Sequence, residues 1–291
     1  MFDRNRIRQN FGRASGAYAD RALVQAEVGR RLLERLEGLR FEPKTIVDLG
    51  SGPGIQAREL ARHFPGAQLV AMDIALPMLH QAQTQRGLFK KRFERVAADA
   101  HALPLAQSSV DLLFSNLMLQ WCEDLPGVLN GFRRVLRPGG LLLISTFGPD
   151  TLSELKQASM QVDGQPRVSP FTDVQTVGDS LVRAGFVEPV LDTDWITSSY
   201  ASPRDLFGEL KAIGASHAGD GRRRGLTASA TLKAIFEAYE GFREAGGRYP
   251  ATWEVVYASA WAPEEGAPIR SIHGGEQASV SVANIGKRKR D

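Results

Sequence analysis

Residues 45–54 read Thr45-Ile46-Val47-Asp48-Leu49-Gly50-Ser51-Gly52-Pro53-Gly54, a β-branched run that breaks into a turn with three alternate glycines. The run Thr45–Leu49 reads as a short buried strand, and the glycines let the backbone turn tightly and come close to a ligand. A loop that cradles a pyrophosphate reads G-x-G-x-x-G. Here the third glycine comes one residue early, and Asp48 puts a carboxylate in front of the loop. That pattern suits a ligand without phosphates. A glycine turn alone also reads as a plain strand-to-helix connection, so the weight falls on what surrounds it.

Outward from this turn, short apolar runs alternate with helical spacing. Gln56–His63 reads as a helix, Leu69–Asp73 as a second strand, Pro77–Arg86 as a helix and Arg95–Ala98 as a third strand. Val110–Ser115 reads as a fourth strand. Leu125–Leu136 reads as a helix stopped by Arg137-Pro138-Gly139-Gly140, and Leu141–Thr146 as a fifth strand. Such alternation implies βαβ units and an α/β fold with a mostly parallel sheet. Val187–Trp195 and Trp253–Trp261 read as strands that complete the sheet. Ser202–Tyr249 reads as a helical, polar insertion with a glycine-rich arginine cluster at Gly219–Gly225, and Asp20–Leu39 as a helix preceded by an aromatic and arginine-rich segment, Arg4–Tyr18. The expected organisation is an N-terminal helical lid segment over 1–40, an α/β core over 41–200, a helical capping insertion over 201–250, final strands over 251–286 with a loop at Glu264–Glu276, and a basic tail over 287–291.

Three further positions fall at the ends of predicted strands. Asp73-Ile74 ends the second, 19 residues after Gly54, where a carboxylate accepts two ribose hydroxyls. Asp99-Ala100 follows the third, where Asp99 accepts from an adenine amino group, and Asn116 ends the fourth. Ligands of open α/β sheets bind at the carboxyl ends of the strands. With Asp48 beside the glycine loop, the set matches S-adenosylmethionine, which carries an ammonium and a sulfonium but no phosphate.

Composition narrows the class. The chain has 291 residues, 43% apolar and 24% charged, ordinary for a globular protein. The formal net charge is +3, and the tail Lys287-Arg288-Lys289-Arg290-Asp291 accounts for all of it. The remaining residues are formally neutral, which argues against a nucleic-acid partner with its broad basic patch. The one cysteine, Cys122, excludes an intrachain disulfide and a cysteine-rich zinc site, and no metal is expected. Met1–Arg6 leads into no apolar signal segment, no run approaches the roughly 18 apolar residues of a membrane helix, and the expected address is the cytoplasm.

Val47–Gly54, Asp73, Asp99, Asn116 and Leu136–Gly140 resemble the motifs of class I S-adenosylmethionine-dependent methyltransferases over about residues 41–147. The resemblance implies a Rossmann-like sheet of seven strands, the last antiparallel. The flanking segments are more particular. Phe11-Gly12-Arg13-Ala14 with Tyr18 and Gln25, Asn116–Trp121, Phe147–Leu152, Leu210–Ala215 and Pro250–Tyr257 resemble the malonyl-acyl-carrier-protein O-methyltransferase family of biotin synthesis. His217 stands where that family has asparagine, and Arg222–Arg224 depart from it.

The resemblance implies methylation of the free carboxylate of a malonyl thioester on acyl-carrier protein, an early step towards the pimeloyl part of biotin. A carboxylate is already a nucleophile, so no general base is expected, and His63, His80, His101, His217 and His273 read as structural or exposed. Tyr18, Phe11 and Trp121 are candidates to screen the sulfonium; Phe11 and Trp121 read equally as core packing. Tyr18 and Lys211 are the candidate positioning residues. Lys211, Arg13, Arg222, Arg223 and Arg224 are candidate cations for the substrate carboxylate, and Trp121 a candidate substrate contact. Arg4, Arg6, Arg8 and Arg222–Arg224 are candidates to steer the acidic carrier. Three other readings stay open: a methyltransferase for another small carboxylate, a methyltransferase-fold enzyme that hydroxylates an arginine of a partner protein, and a non-catalytic protein that holds the cofactor.

Overall fold

Five strands follow the expected alternation with helices, and two long strands complete their sheet. The computed structural model describes residues 4–84, 93–214, 229–266, 269–270 and 276–277. Helices α1 (Arg4–Arg21) and α2 (Leu23–Glu34) lead into strand β1 (Thr45–Leu49). Then follow α3 (Ile55–His63), β2 (Gln68–Asp73), α4 (Leu76–Thr84), β3 (Glu94–Ala97), β4 (Val110–Ser115), α5 (Leu125–Val135) and β5 (Leu136–Phe147). Helices α6 (Ser153–Asp163) and α7 (Val174–Arg183) precede β6 (Val187–Tyr200). The insertion supplies α8 (Pro203–Ala212) and α9 (Ser229–Tyr239), and β7 (Tyr249–Trp261) returns to the sheet.

The strand order is β3-β2-β1-β4-β5-β7-β6. The first five strands are parallel, and β7 runs antiparallel to both neighbours, β5 and β6. The order reverses between β1 and β4, so the loops leaving these two strands diverge and open a crevice, the usual ligand position in such sheets. Alternate residues of β1 serve the two faces. Ile46 packs with Val28, Leu32 and Ala57 on one side, and Val47 and Leu49 with Val128 and Phe132 on the other. Helix α5 forms because Asp124 caps Gly127 N–H at 3.0 Å and Val128, Leu129, Phe132 and Val135 recur on one buried face.

The structure revises the sequence reading at several places. The segment Arg4–Tyr18 belongs to a full helix, and the helix expected over Asp20–Leu39 is two, jointed at buried Ala22 and ending at Glu34. Apolar spacing runs across the joint, which is why the sequence read as one helix. Helices α6 and α7 were not anticipated, although Asp173 caps Thr176 N–H at 2.8 Å ahead of Val177 and Leu181. Strand β6 extends to Tyr200, and β7 begins at Tyr249, inside the expected insertion. Of residues 251–286, only β7 joins the sheet among the described residues. Ile269–Arg270 and Glu276–Gln277 pair with each other, inside or beside what reads as a loop. Arg222–Arg224, His217, His273 and the tail over 287–291 lie outside the described residues.

The turn after β5 is clamped by β7. The buried Glu254 carboxylate accepts Asp150 N–H at 2.6 Å, Thr151 Oγ1 donates to Glu254 O at 2.9 Å, and Leu152, at φ 55°, donates its N–H to Thr252 O at 2.6 Å. Glu154 Oε1 in turn accepts from Thr252 Oγ1 at 2.6 Å. These bonds join Phe147–Leu152 to Pro250–Tyr257, two of the segments that carry the family resemblance. We predict that Glu254→Ala costs about 1–3 kcal/mol of stability by removing the charged acceptor of the part-buried Asp150 N–H, whereas Glu254→Gln loses less. Equal melting temperatures for parent and both variants would remove the clamp from the account.

Candidate active site

The glycine loop is tied to the end of β2. Gly50 and Ser51 donate their N–H groups to Met72 O at 2.8 and 2.9 Å, and Gly52 N–H to Asp73 Oδ2 at 2.9 Å. Gly50, Gly52 and Gly54 all have positive φ, 74°, 52° and 75°, a region that glycine enters without penalty. A Cβ on Gly50 would come within 2.6 Å of the Met118 side chain, so backbone rather than side chain forms the cleft floor there. From β4, Ser115 Oγ donates to Leu49 O at 2.8 Å and fixes the other rim.

The crevice is an open cleft of about 730 Å³, counting the solvent space at its mouth. Of the expected residues, Gly50, Gly52, Asp73, Ile74, Asp99, Ala100, Asn116, Tyr18 and Trp121 line it. Asp48 and Gly54 do not. Asp48 sits beneath the loop, 1% exposed, and its Oδ2 has no hydrogen-bond partner. Burial and the nearby Asp73 push its carboxyl up to about 8, so it is mostly protonated at neutral pH rather than the ready negative charge expected. Gly54 caps α3, and a Cβ there would meet Ala82 at 3.0 Å and Phe93 at 3.2 Å; its role is packing. Arg13 and Lys211 are exposed and off the cleft, because α1 and α8 turn their apolar faces inward and these side chains outward.

Asp73 is 9% exposed and accepts from Ala75 N–H at 2.7 Å as well as from Gly52. Burial raises its carboxyl to about 6, against the lowering effect of those two donors. Burial also raises Asp99, but the His101 N–H at 2.9 Å, His101 Nδ1 at 2.8 Å and Arg4 guanidinium at 3.1 Å outweigh it and hold the group below its ordinary value. Asn116 is locked: its Nδ2 donates to Gln25 O at 2.9 Å and its Oδ1 accepts from Ser145 at 2.8 Å. Burial, then Asp73, push the Tyr18 phenol above its ordinary value, so it stays a hydroxyl donor. Burial and Asp99 push the Cys122 thiol up to about 12, which makes it a neutral wall and not a nucleophile.

Sequence reading missed Arg4, Ile7, Met78, His101, Leu117, Met118 and Cys122. The signal for the first two was present: Ile7, Phe11, Ala14 and Tyr18 repeat at helical spacing. Phe11 meets Trp121 edge-on at 5.3 Å and Tyr18 at 6.3 Å between ring centroids. His101, read as structural or exposed, lines the cleft bound to Asp99. No group of three or more His, Cys, Asp or Glu placed to hold a metal occurs among the described residues.

The residues fit an adenosyl ligand. Glycine backbone replaces side chain where a Cβ would fill the floor, Asp73 and Asp99 present acceptors at neighbouring strand ends, and aromatic and thioether side chains flank the mouth between them. Comparison with known proteins agrees. A family profile described as methyltransferase domain matches residues 47–144. The chain is 44% identical to a malonyl-acyl-carrier-protein O-methyltransferase of Xylella fastidiosa, covering 100% of this chain and 98% of the relative. It is 44% identical to that of Halorhodospira halophila, covering 99% and 97%. Among solved structures, phosphoethanolamine N-methyltransferase 2 of Haemonchus contortus, in complex with S-adenosyl-L-methionine, superposes with a TM-score of 0.53 at 20% identity, over 81% of this chain and 52% of that one. The YcgJ protein of Bacillus subtilis superposes at 0.55 and 13% identity, over 82% and 99%. Likeness at these identities shows the fold.

Asp73 generates a prediction. Asp73→Ala should weaken binding of S-adenosylhomocysteine by about 1.5–3 kcal/mol, the worth of hydrogen bonds to a charged acceptor. In the parent, the carboxylate is present above about pH 6 and is protonated below it. Affinity should therefore hold above that pH and fall roughly tenfold per unit beneath it. Calorimetry across pH 4.5–7.5 checks both; unchanged affinity in Asp73→Ala, or a flat profile in the parent, would remove Asp73 from the site.

Proposed function

The chain belongs to the malonyl-acyl-carrier-protein O-methyltransferase family, and from that premise we propose that it methylates the free carboxylate of a malonyl thioester carried on acyl-carrier protein, an early step of biotin synthesis. The observation that carries the reading is the match, over essentially the whole length of both chains, to relatives of that name. The methyl donor is S-adenosylmethionine. Held against the Gly50 and Gly52 backbone and Asp73, it would supply an electrophilic methyl group to the substrate carboxylate oxygen, with the neutral thioether as leaving group.

The residues of the cleft have the remaining work of holding and excluding. Asp73 would hold the ribose hydroxyls and Asp99 the adenine amino group, while the backbone of Gly50 and Gly52 lets the methionyl end lie close against the loop. Tyr18, Phe11 and Trp121 would screen the reacting centre from water. A substrate carboxylate is ionised at neutral pH and needs no base, and the lining fits this: its histidine, His101, is already committed to Asp99. Positioning alone lowers such a barrier by about 7–11 kcal/mol. Arg4 is the guanidinium among the described lining residues, and it too is held by Asp99. Lys211 and Arg13 would reach the substrate only outside the cleft. The cytoplasm, where fatty-acyl carrier proteins are loaded, is the proposed compartment; no described helix is long and apolar enough to cross a membrane.

Malonyl-carrier protein should be methylated and acetyl-carrier protein should not, since only the former offers an ionised oxygen. A glutaryl thioester should react more slowly, because a misplacement of ~1 Å can cost ~100-fold. Tyr18→Phe should fold normally and turn over more slowly. Methylation of a nucleic acid or a protein side chain with no malonyl thioester accepted would overturn the proposal, and parent-like kinetics in Tyr18→Phe would leave that residue as packing.

A further inference from the structure

Helix α1 has two faces of different chemistry. Ile7, Phe11 and Tyr18 line the cleft, with buried Ala14 on the same stripe. Away from the cleft the helix exposes Arg6, Arg8, Arg13 and Arg21, and it carries no acidic residue before Asp20. Apart from its last five residues the chain is formally neutral, so this concentration is a local departure from the chain average.

Several arginines elsewhere on the surface are paired with carboxylates, and Arg40, Arg183 and Arg204, exposed without one among the described residues, stand singly on separate segments. Arg30 and Arg31 bridge Glu27, Arg35 bridges Asp192, Arg62 bridges Glu59, Arg137 bridges Asp111 at 2.7 Å and Arg167 bridges Asp163. Arg8 and Arg13 are exposed and meet no carboxylate among the described residues. Arg8 and Arg13, exposed on a helix that carries no acidic residue before Asp20, form a surface complementary to an acidic protein. The helix is also well placed. Its neighbours fix it on two sides, with Gly12 against Pro77 of α4 at 3.4 Å and the end of α8, at Gly214, against the backbone of Asn10 and Phe11 at 3.2–3.3 Å, both measured from the Cβ positions those glycines lack. Arg13 and Arg8 precede Tyr18 by five and ten residues, about 7.5 and 15 Å along the axis. A carrier seated on them would stand beside the cleft mouth, within reach of a flexible prosthetic arm.

We propose that the solvent-exposed part of α1, through Arg8 and Arg13, is the docking surface for the acidic carrier protein, so that the helix walling the methyl-donor cleft also receives the macromolecular part of the substrate. This rests on the carrier-borne thioester proposed above. Docking there bears on the same rigid element that supplies Phe11 and Tyr18, and it separates two tasks: the arginines of α1 recognise the carrier, and the cleft recognises the thioester end.

The test uses the full-length enzyme, purified malonyl-carrier protein and a malonyl thioester of a small thiol. In Arg8→Glu/Arg13→Glu, KM for malonyl-carrier protein should rise at least about tenfold at low salt, with the gap narrowing at high salt as screening weakens the parent's advantage. Turnover of the small thioester and affinity for S-adenosylhomocysteine should stay within about twofold of the parent. Arg8→Lys/Arg13→Lys should restore most of the carrier affinity. An unchanged KM for the carrier overturns the proposal. So does an equal loss on both substrates, which would make the arginines ligands of the carboxylate or supports of the helix. If the parent enzyme methylates the small thioester but shows no preference for the carrier, the docking surface fails while the methyl-transfer reading stands. If it methylates neither, the underlying reading has failed.

Discussion

The hydrogen bond from Gly52 N–H to the Asp73 carboxylate, 2.9 Å long, ties the loop after β1 to the end of β2, and the cleft depends on it. Three glycines in positive-φ conformations let the loop turn back over the strand ends, and the carboxylate that holds the turn is the one facing the cleft. A residue with a side chain at Gly50 would collide with Met118. The same few atoms therefore set both the shape of the floor and the charge above it. Burial keeps Asp73 near pH 6 rather than at its ordinary value, so the site gains a strong acceptor at neutral pH whose desolvation is offset by only two backbone donors.

Around this floor the structure assembles walls from parts far apart in sequence. Helix α1 arrives from the N-terminus and is pinned at one end by Arg4 on Asp99. The β4 end contributes Asn116, locked between Gln25 and Ser145, and Leu117, which adopts a φ of 48°. The β5–α6 turn is held from β7 by Glu254 and Thr252. None of these contacts needs a general base. A reaction between an ionised oxygen and an activated methyl group asks for alignment and exclusion of water, and a rigid cleft with neutral sulfur and aromatic walls supplies both.

The sheet was legible in the sequence because buried parallel strands are short apolar runs punctuated by glycine and proline, as at Thr45–Leu49 and Val110–Ser115. The cleft-lining positions Asp73, Asp99 and Asn116 were legible because they fall at the ends of those strands. The N-terminal lid read as helical, but its extent and its joint did not show, since arginines and small residues dilute the stripe Ile7, Phe11, Ala14, Tyr18, and the joint at Ala22 sits inside a continuous apolar period. Asp48 was misjudged for a different reason. Its place before the loop marks it, but which way its side chain points follows from strand parity: Ile46 and Asp48 share the face toward α2 and α3, away from the cleft. Arg13 and Lys211 failed likewise as cleft cations, since helical phase turns both to solvent.

The most direct measurement is a crystal structure with S-adenosylhomocysteine bound. The account predicts the adenosyl group in the crevice between β1 and β4, both ribose hydroxyls within hydrogen-bond distance of Asp73, the adenine amino group at Asp99, and Gly52 N–H still bonded to Asp73. A ligand seated elsewhere, or one in the crevice with its ribose turned away from an Asp73 that binds only Gly52 and Ala75, would contradict it.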